Sequence, residues 1–196
     1  MDAVADLDLR IAARVRSLRL AGGLSLEALA ERSGVSRSMI SLIERGESSP
    51  TAVVLDKLAA ALGVLLSSLF ESDGEAAVAP DQGPMARFAD QPLWKDPASG
   101  YLRRNVTPAG ASQPMRIVEV RFPPGARVAF DNEGKDANVC QQVWLLEGRM
   151  ELTVGKARHR LDAGDCLAMT LDQPVMFHNP TRKAARYAVV IAGARR

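Results

Sequence analysis

The chain reads as an α+β protein of two domains, an N-terminal bundle of five short helices followed by a C-terminal antiparallel β-barrel of jelly-roll type. Three observations predict this. Residues 9–70 carry apolar side chains at near-helical spacing between glycine stops. Residues 71–88 turn acidic and rich in proline and glycine, as linkers are. Beyond them short β-type runs alternate with turns, the pattern of a small barrel. The expected division is therefore a helical domain over 1–70, a linker over 71–88 and a barrel over 89–196.

In the first helix Leu9, Ile11, Ala12, Val15, Leu18 and Leu20 recur at helical spacing until Gly22-Gly23 stops the run. Ser25 is placed to cap the second helix and Ser36 the third. Ser49-Pro50 supplies a cap followed by a proline at the first helical position of the fourth. That helix turns Val53, Val54, Leu55, Leu58, Ala59 and Leu62 inward and ends at Gly63, and a short fifth runs from Leu65 to Phe70. In the β half the runs RIVEVRF, VWLL, MELTV, CLAMTL and YAVVIA are separated by turn residues. Met150, Leu152 and Val154 alternate with Glu151 and Thr153, the period of a half-buried strand.

Composition narrows the class. Hydrophobic content of 47% and charged content of 24% over 196 residues are ordinary for a globular chain. No apolar run approaches the roughly 20 residues that span a bilayer, and the acidic start MDAVADLDLR lacks the basic-then-apolar order of a secretory signal. A cytoplasmic chain with no membrane partner is expected. Cys140 and Cys166 form neither a disulfide framework nor a CxxC pair and are expected as buried thiols. Net charge is +2, distributed unevenly: residues 9–70 hold eight bases against five acids, 71–86 four acids and no base, and 87–196 seventeen bases against eleven acids. Four arginines of the first helix (Arg10, Arg14, Arg16, Arg19) suit phosphate contacts or a solvated face equally.

Residues 24–46, LSLEALAERSGVSRSMISLIERG, are the most informative stretch. Two short helices joined at Gly34 leave the second with Arg37, Ser38, Ser41, Leu42 and Arg45 on one side and Ser36, Met39, Ile40 and Ile43 on the other. A small, polar, basic outer face of this kind fits a DNA major groove; a protein-interaction bundle is the alternative.

With RVRSLR, LSLEALAERSGVS, ISLIERG and LAAALGV in order, residues 9–70 resemble the five-helix, lambda-repressor-like domain of the XRE (Cro/repressor) helix-turn-helix family. The resemblance implies that Ser36 caps a recognition helix whose Arg37, Ser38, Ser41 and Leu42 point toward base edges. Arg37 is suited to pair with guanine. Arg14, Ser25 and Arg45 are implied to contact phosphates. Arg19 and Glu44 match a structural salt bridge between the first helix and the recognition helix. The family's glutamine at the start of the second helix is here Leu26, and the matching outer position of the third is Leu42, which favours van der Waals contact over amide readout. Members bind operator DNA as dimers.

Residues 121–179 resemble the cupin family, with one motif from Pro124-Gly125 to LLEGRMELTVG and a second from Ala163–Asp165 through Pro174 to Phe177 and Asn179. At the positions where cupin enzymes place metal ligands this chain offers Asp131, Glu133, Gln141 and Val175, so no metal and no cofactor is expected. His159 and His178 are expected on the surface. Gln141, Val143, Val175, Phe177 and Asn179 are the candidates for lining an effector pocket, with Asp131 and Cys140 at its rim; simple core packing is the alternative for all of them. Arg103, Arg104 and Arg116 would make such a pocket anion-seeking, although strand arginines are more often surface groups. The expected protein is a transcriptional regulator that reads double-stranded operator DNA as a homodimer, its barrel binding a small-molecule effector, and it is not an enzyme. The alternatives are a metal-dependent cupin enzyme with an autoregulatory DNA-binding domain and a ligand-independent repressor whose barrel only dimerises.

Overall fold

A computed structural model describes residues 3–70, 84–108, 111, 115–132 and 139–192, with side chains from Leu7 onward. The α+β architecture is as expected from the sequence. Helices α1 (Ala3–Ala21), α2 (Leu26–Ser33), α3 (Arg37–Glu44) and α4 (Ala52–Ala61) are followed by a 3-10 helix, Leu66–Phe70, where the sequence predicted a fifth α-helix. Caps set the boundaries. The Ser25 hydroxyl accepts from the Ala28 amide at 3.1 Å, and Gly34 closes α2 in the left-handed conformation, φ 65°. The cap of α4 is Thr51, whose hydroxyl accepts from the Val54 amide, and not Ser49. Pro50 thus precedes the cap instead of opening the helix. Leu7, Ile11, Val15, Leu29, Ile40, Ile43, Leu55 and Leu58 fill the helical core. Leu9 and Leu20, which share the apolar spacing of α1, are exposed.

Ten strands follow: β1 (Leu93–Lys95), β2 (Leu102–Asn105), β3 (Met115–Phe122), β4 (Arg127–Phe130), β5 (Cys140–Glu147), β6 (Arg149–Val154), β7 (Ala157–Asp162), β8 (Cys166–Thr170), β9 (Val175–His178) and β10 (Ala185–Ala192). They form a six-stranded sheet in the order β1-β2-β3-β10-β5-β8 and a four-stranded sheet in the order β4-β9-β6-β7, every pairing antiparallel. Alternation puts Val118, Val120, Tyr187, Val189, Val143 and Leu145 on the inner face of the larger sheet and Leu152, Val175 and Phe177 on that of the smaller. Gly148 joins β5 to β6 at φ 84°, where a Cβ would lie 3.0 Å from the Ala184 carbonyl oxygen, so the turn demands glycine.

Most of the expected linker, residues 71–83, lies outside the described residues. The two halves nonetheless share one hydrophobic core. Phe70, at the end of the helical half, sets its ring edge-on to Trp94 of β1 at 5.5 Å. The turn between β1 and β2 reaches the start of α4: Asp96, 2% exposed, accepts from the Ala52 amide at 2.9 Å and from the Ser99 amide at 2.8 Å. A carboxylate there satisfies a free helical N–H and meets the positive end of the helix dipole.

Candidate DNA interface and barrel interior

The recognition face stands on α3. Ile40 and Ile43 are buried, while Arg37 and Ser38 are exposed and Ser41 and Leu42 half-buried on the other side. Met39, assigned inward with Ile40, is instead 38% exposed. The Ser36 hydroxyl caps α3 by accepting from the Met39 amide at 3.3 Å and lies 3.2 Å from the Ser38 hydroxyl. Arg37 meets Glu27 of α2 at 2.7 Å, both side chains about two-thirds exposed, so solvent screens the pair and leaves the guanidinium available. The Glu27 carboxyl is held below its usual range, first by a backbone hydrogen bond and then by Arg37.

Beneath this face lies a stronger pair. Arg19 of α1 donates from Nε and Nη2 to the two carboxylate oxygens of Glu44 at 2.6 and 2.8 Å, and from Nη1 to the Leu24 carbonyl at 2.9 Å. The hydrogen bond to Glu44 raises the Arg19 pKa. Arg45 grips Glu47 through Nε and Nη2, both at 2.8 Å, and donates from Nη1 to the Ser41 hydroxyl. Arg45 and Ser41 therefore sit together on the outer face. Arg14, a candidate for phosphate contact, is half-buried and donates from Nε to the Ser68 carbonyl at 3.1 Å. It ties α1 to the 3-10 helix.

Inside the barrel the residues proposed for an effector pocket divide. Gln141 and Val143 of β5 are buried on the inner face, and Val175 and Phe177 of β9 are buried on the facing sheet. Phe177 stacks on Tyr187 at 5.8 Å and meets Phe130 edge-on at 6.0 Å. Cys140 is a correction: it neighbours Gln141 and so faces out of the barrel, and it is exposed, as is Cys166. Asn179 is a second correction. It is fully buried, but its amide donates to the Phe122 and Lys183 carbonyls and its oxygen accepts from the Thr181 amide and hydroxyl. That pins the turn at the end of β10 opposite Gln141, and leaves the Asn179 amide spent on structure. Asp131 is exposed just past β4, and Glu133 lies outside the described residues.

His178 also departs from expectation. It points out of the barrel, yet Glu151 covers it at 3.3 Å and its side chain is only 14% exposed. Glu151 also pairs with Arg158 and, at 3.3 Å, with Arg160. His159 is half-buried. Among the described residues no three His, Cys, Asp or Glu side chains form a group able to hold a metal ion.

Sequence reasoning missed the joint between the halves. Arg103 of β2 is buried where a strand arginine was expected at the surface, and its Cζ lies 4.7 Å from the centre of the Phe70 ring. From Phe70 a continuous run of ring contacts passes through Trp94, Tyr101, Phe122 and Tyr187 to Phe177 in the barrel. Burial raises the Tyr101 and Tyr187 pKa values and lowers that of Arg103.

A four-helix unit with an exposed, capped third helix, joined to a two-sheet antiparallel barrel, defines a two-domain α+β protein of helix-turn-helix type. Residues 15–69 match the family model HTH_3, helix-turn-helix, so this part of the chain is an XRE-type helix-turn-helix domain. Similarity to proteins of the same type extends over nearly the whole length. The chain is 26% identical over 175 residues to the HTH-type transcriptional regulator PuuR of Escherichia coli, covering 88% of this chain and 89% of that one. It is 24% identical to the HTH-type transcriptional regulator SutR of the same organism, covering 90% and 91%. A solved HTH_3 family transcriptional regulator from Vibrio cholerae superimposes with a TM-score of 0.74 at 25% identity, covering 97% of this chain and 99% of that one. No helix among the described residues is long and apolar enough to cross a membrane.

Proposed function

We propose that the chain is a non-catalytic transcriptional regulator of the cytoplasm. Residues 1–70 read double-stranded operator DNA, and residues 89–196 bind a small-molecule effector and hold two copies together. The observation that carries the reading is the α3 surface, where Arg37, Ser38, Ser41 and Leu42 face away from the core beside Arg45 while Ile40 and Ile43 anchor the helix. Arg37 reads guanine bidentately, the two serines and Leu42 contact neighbouring base edges, and Ser25, Ser36 and Arg45 approach phosphates. In reaching DNA, Arg37 exchanges Glu27 and Arg45 exchanges Glu47, trades that lose little because all four groups are solvated.

The test starts from DNA selected by the full-length chain out of a random pool. Arg37→Ala is expected to weaken binding to that DNA by roughly 1–3 kcal/mol and to relax preference at one position. An unchanged affinity and an unchanged selected sequence would remove this face from the reading.

Dimerisation is assigned to the outer face of the six-stranded sheet. There Trp144 is 50% exposed and Met115 43% exposed, on the same face as Ile117 and Val190. Exposed apolar surface of this kind marks an interface. Trp144→Arg is expected to turn a dimer into a monomer in sedimentation equilibrium; persistence of the dimer would place the interface elsewhere. For the effector, Gln141, Val143, Val175 and Phe177 supply one end of the lining, with Asp131 near its rim. A ligand acts as a switch only insofar as it favours one placement of the two reading heads over the other.

A further inference from the structure

Arg103 is 7% exposed, yet its Nε and Nη2 have no hydrogen-bond partner among the described residues. Directly across the β1–β2 pair, the Trp94 indole Nε1 is equally buried and equally without a partner. Opposed side chains of an antiparallel pair stand within about 5 Å at Cβ, so the two side chains share one buried neighbourhood, in which none of these three donor atoms has a hydrogen-bond acceptor among the described residues. Among the described residues, the groups that act on the Arg103 charge are the Tyr101 and Tyr187 phenols. The Phe70 ring meets the guanidinium face and leaves its edge free. Burying a cation without a counter-charge is costly, and such a site calls for an anion.

The free edge identifies the kind of anion. Nε and Nη2 are the same two donors with which Arg19 grips both oxygens of Glu44 and Arg45 both oxygens of Glu47. They form a planar fork matched to a carboxylate. We propose that Arg103 is the seat of a small carboxylate ligand, held bidentately by its Nε–Nη2 edge beside the Trp94 indole N–H, where the barrel meets the helical half. The proposal rests on the reading of the barrel as an effector-binding domain and gives that effector a chemical class. It also gives the ligand a route to the reading head. Trp94 and Arg103 belong to the barrel and Phe70 to the helical half, so an anion at this edge touches the joint itself.

The test uses the full chain with Trp144→Phe, which keeps a ring on the outer face and leaves Trp94 as the one indole. Mono- and dicarboxylates from acetate to benzoate and succinate are titrated, each beside its neutral amide, with inorganic phosphate as a separate arm. At least one acid is expected to shift Trp94 emission and, at a hundredfold excess over its Kd, to raise Tm by roughly 5–10 °C, with its amide inert. Arg103→Met, which fills similar volume without charge, is expected to melt no lower than the parent when ligand-free and to lose the acid response at least tenfold. The proposal is overturned if no acid acts, if amide equals acid, if phosphate alone binds, if Arg103→Met keeps the response, or if Arg103→Met fails to fold. DNA selection by the same preparation separates the two readings. A chain that selects a sequence and answers only to neutral or cationic compounds loses this seat and keeps its assignment as an effector-controlled regulator.

Discussion

Glu44→Ala is expected to destabilise the helical half by about 3–5 kcal/mol, the range for removing one partner of a buried ion pair. The effect is large because the partner stays behind. Side-chain exposure is 11% for Arg19 and 6% for Glu44, and Arg19 spends Nε and Nη2 on the carboxylate. Alanine leaves that guanidinium under the bundle with the Leu24 carbonyl as its acceptor. An exposed pair behaves differently: Glu27→Ala, opposite Arg37, is expected to change stability by less than about 0.5 kcal/mol. Urea unfolding followed by helical circular dichroism compares the two. Because Glu44 is the last residue of α3, its loss also loosens the angle at which the reading face is presented, so DNA affinity should fall alongside stability. Equal, small effects at both positions would show that the Arg19–Glu44 pair is dispensable.

What the sequence allowed and what it withheld follow from the range of the forces involved. The exposed edge of α3 was legible because it depends on a helical period and on caps a few residues away, and Ser25 and Ser36 cap as read. Local competition already blurred α4: Ser49 and Thr51 are both good caps, and the hydroxyl of Thr51 is the one that engages. In the barrel, inward alternation located Gln141, Val143, Val175 and Phe177. It could not admit Cys140 to the same surface, since neighbours on a strand face opposite ways. Asn179 has inward parity, but its amide is consumed by its own turn, through Thr181 and Lys183 two and four residues on, and by the Phe122 carbonyl that the fold brings to it. Arg103 and Asp96 were illegible. Their environment is the helical half, tens of residues away, and nothing near them in sequence announces that a strand arginine and a turn aspartate will be covered by another domain.

Phe70→Ala tests whether that joint makes the two halves one structure. The ring is 3% exposed, edge-on to Trp94 and stacked over by Arg103, so truncation opens a cavity walled by both domains. A cost of about 3–5 kcal/mol is expected, as for other buried phenylalanines. The distribution of that cost matters more than its size. With a shared core the parent should unfold in one transition, whereas the variant, left with α1 against β1, α4 against β4 and Asp96 on the Ala52 amide, should unfold in two, the helical half first. Calorimetry gives the number of transitions, and Trp94 emission should move to longer wavelength as water reaches the indole. The Arg37 face is remote from the lesion in sequence and sits on a different helix, so DNA selection by the folded variant should persist. What should vanish is any change in DNA affinity caused by a ligand of the barrel, because the ring path from Tyr187 to the helical half ends at Phe70. A single transition in the variant together with an intact ligand effect would place the coupling in another contact, with the Asp96 cap of α4 next to be tested.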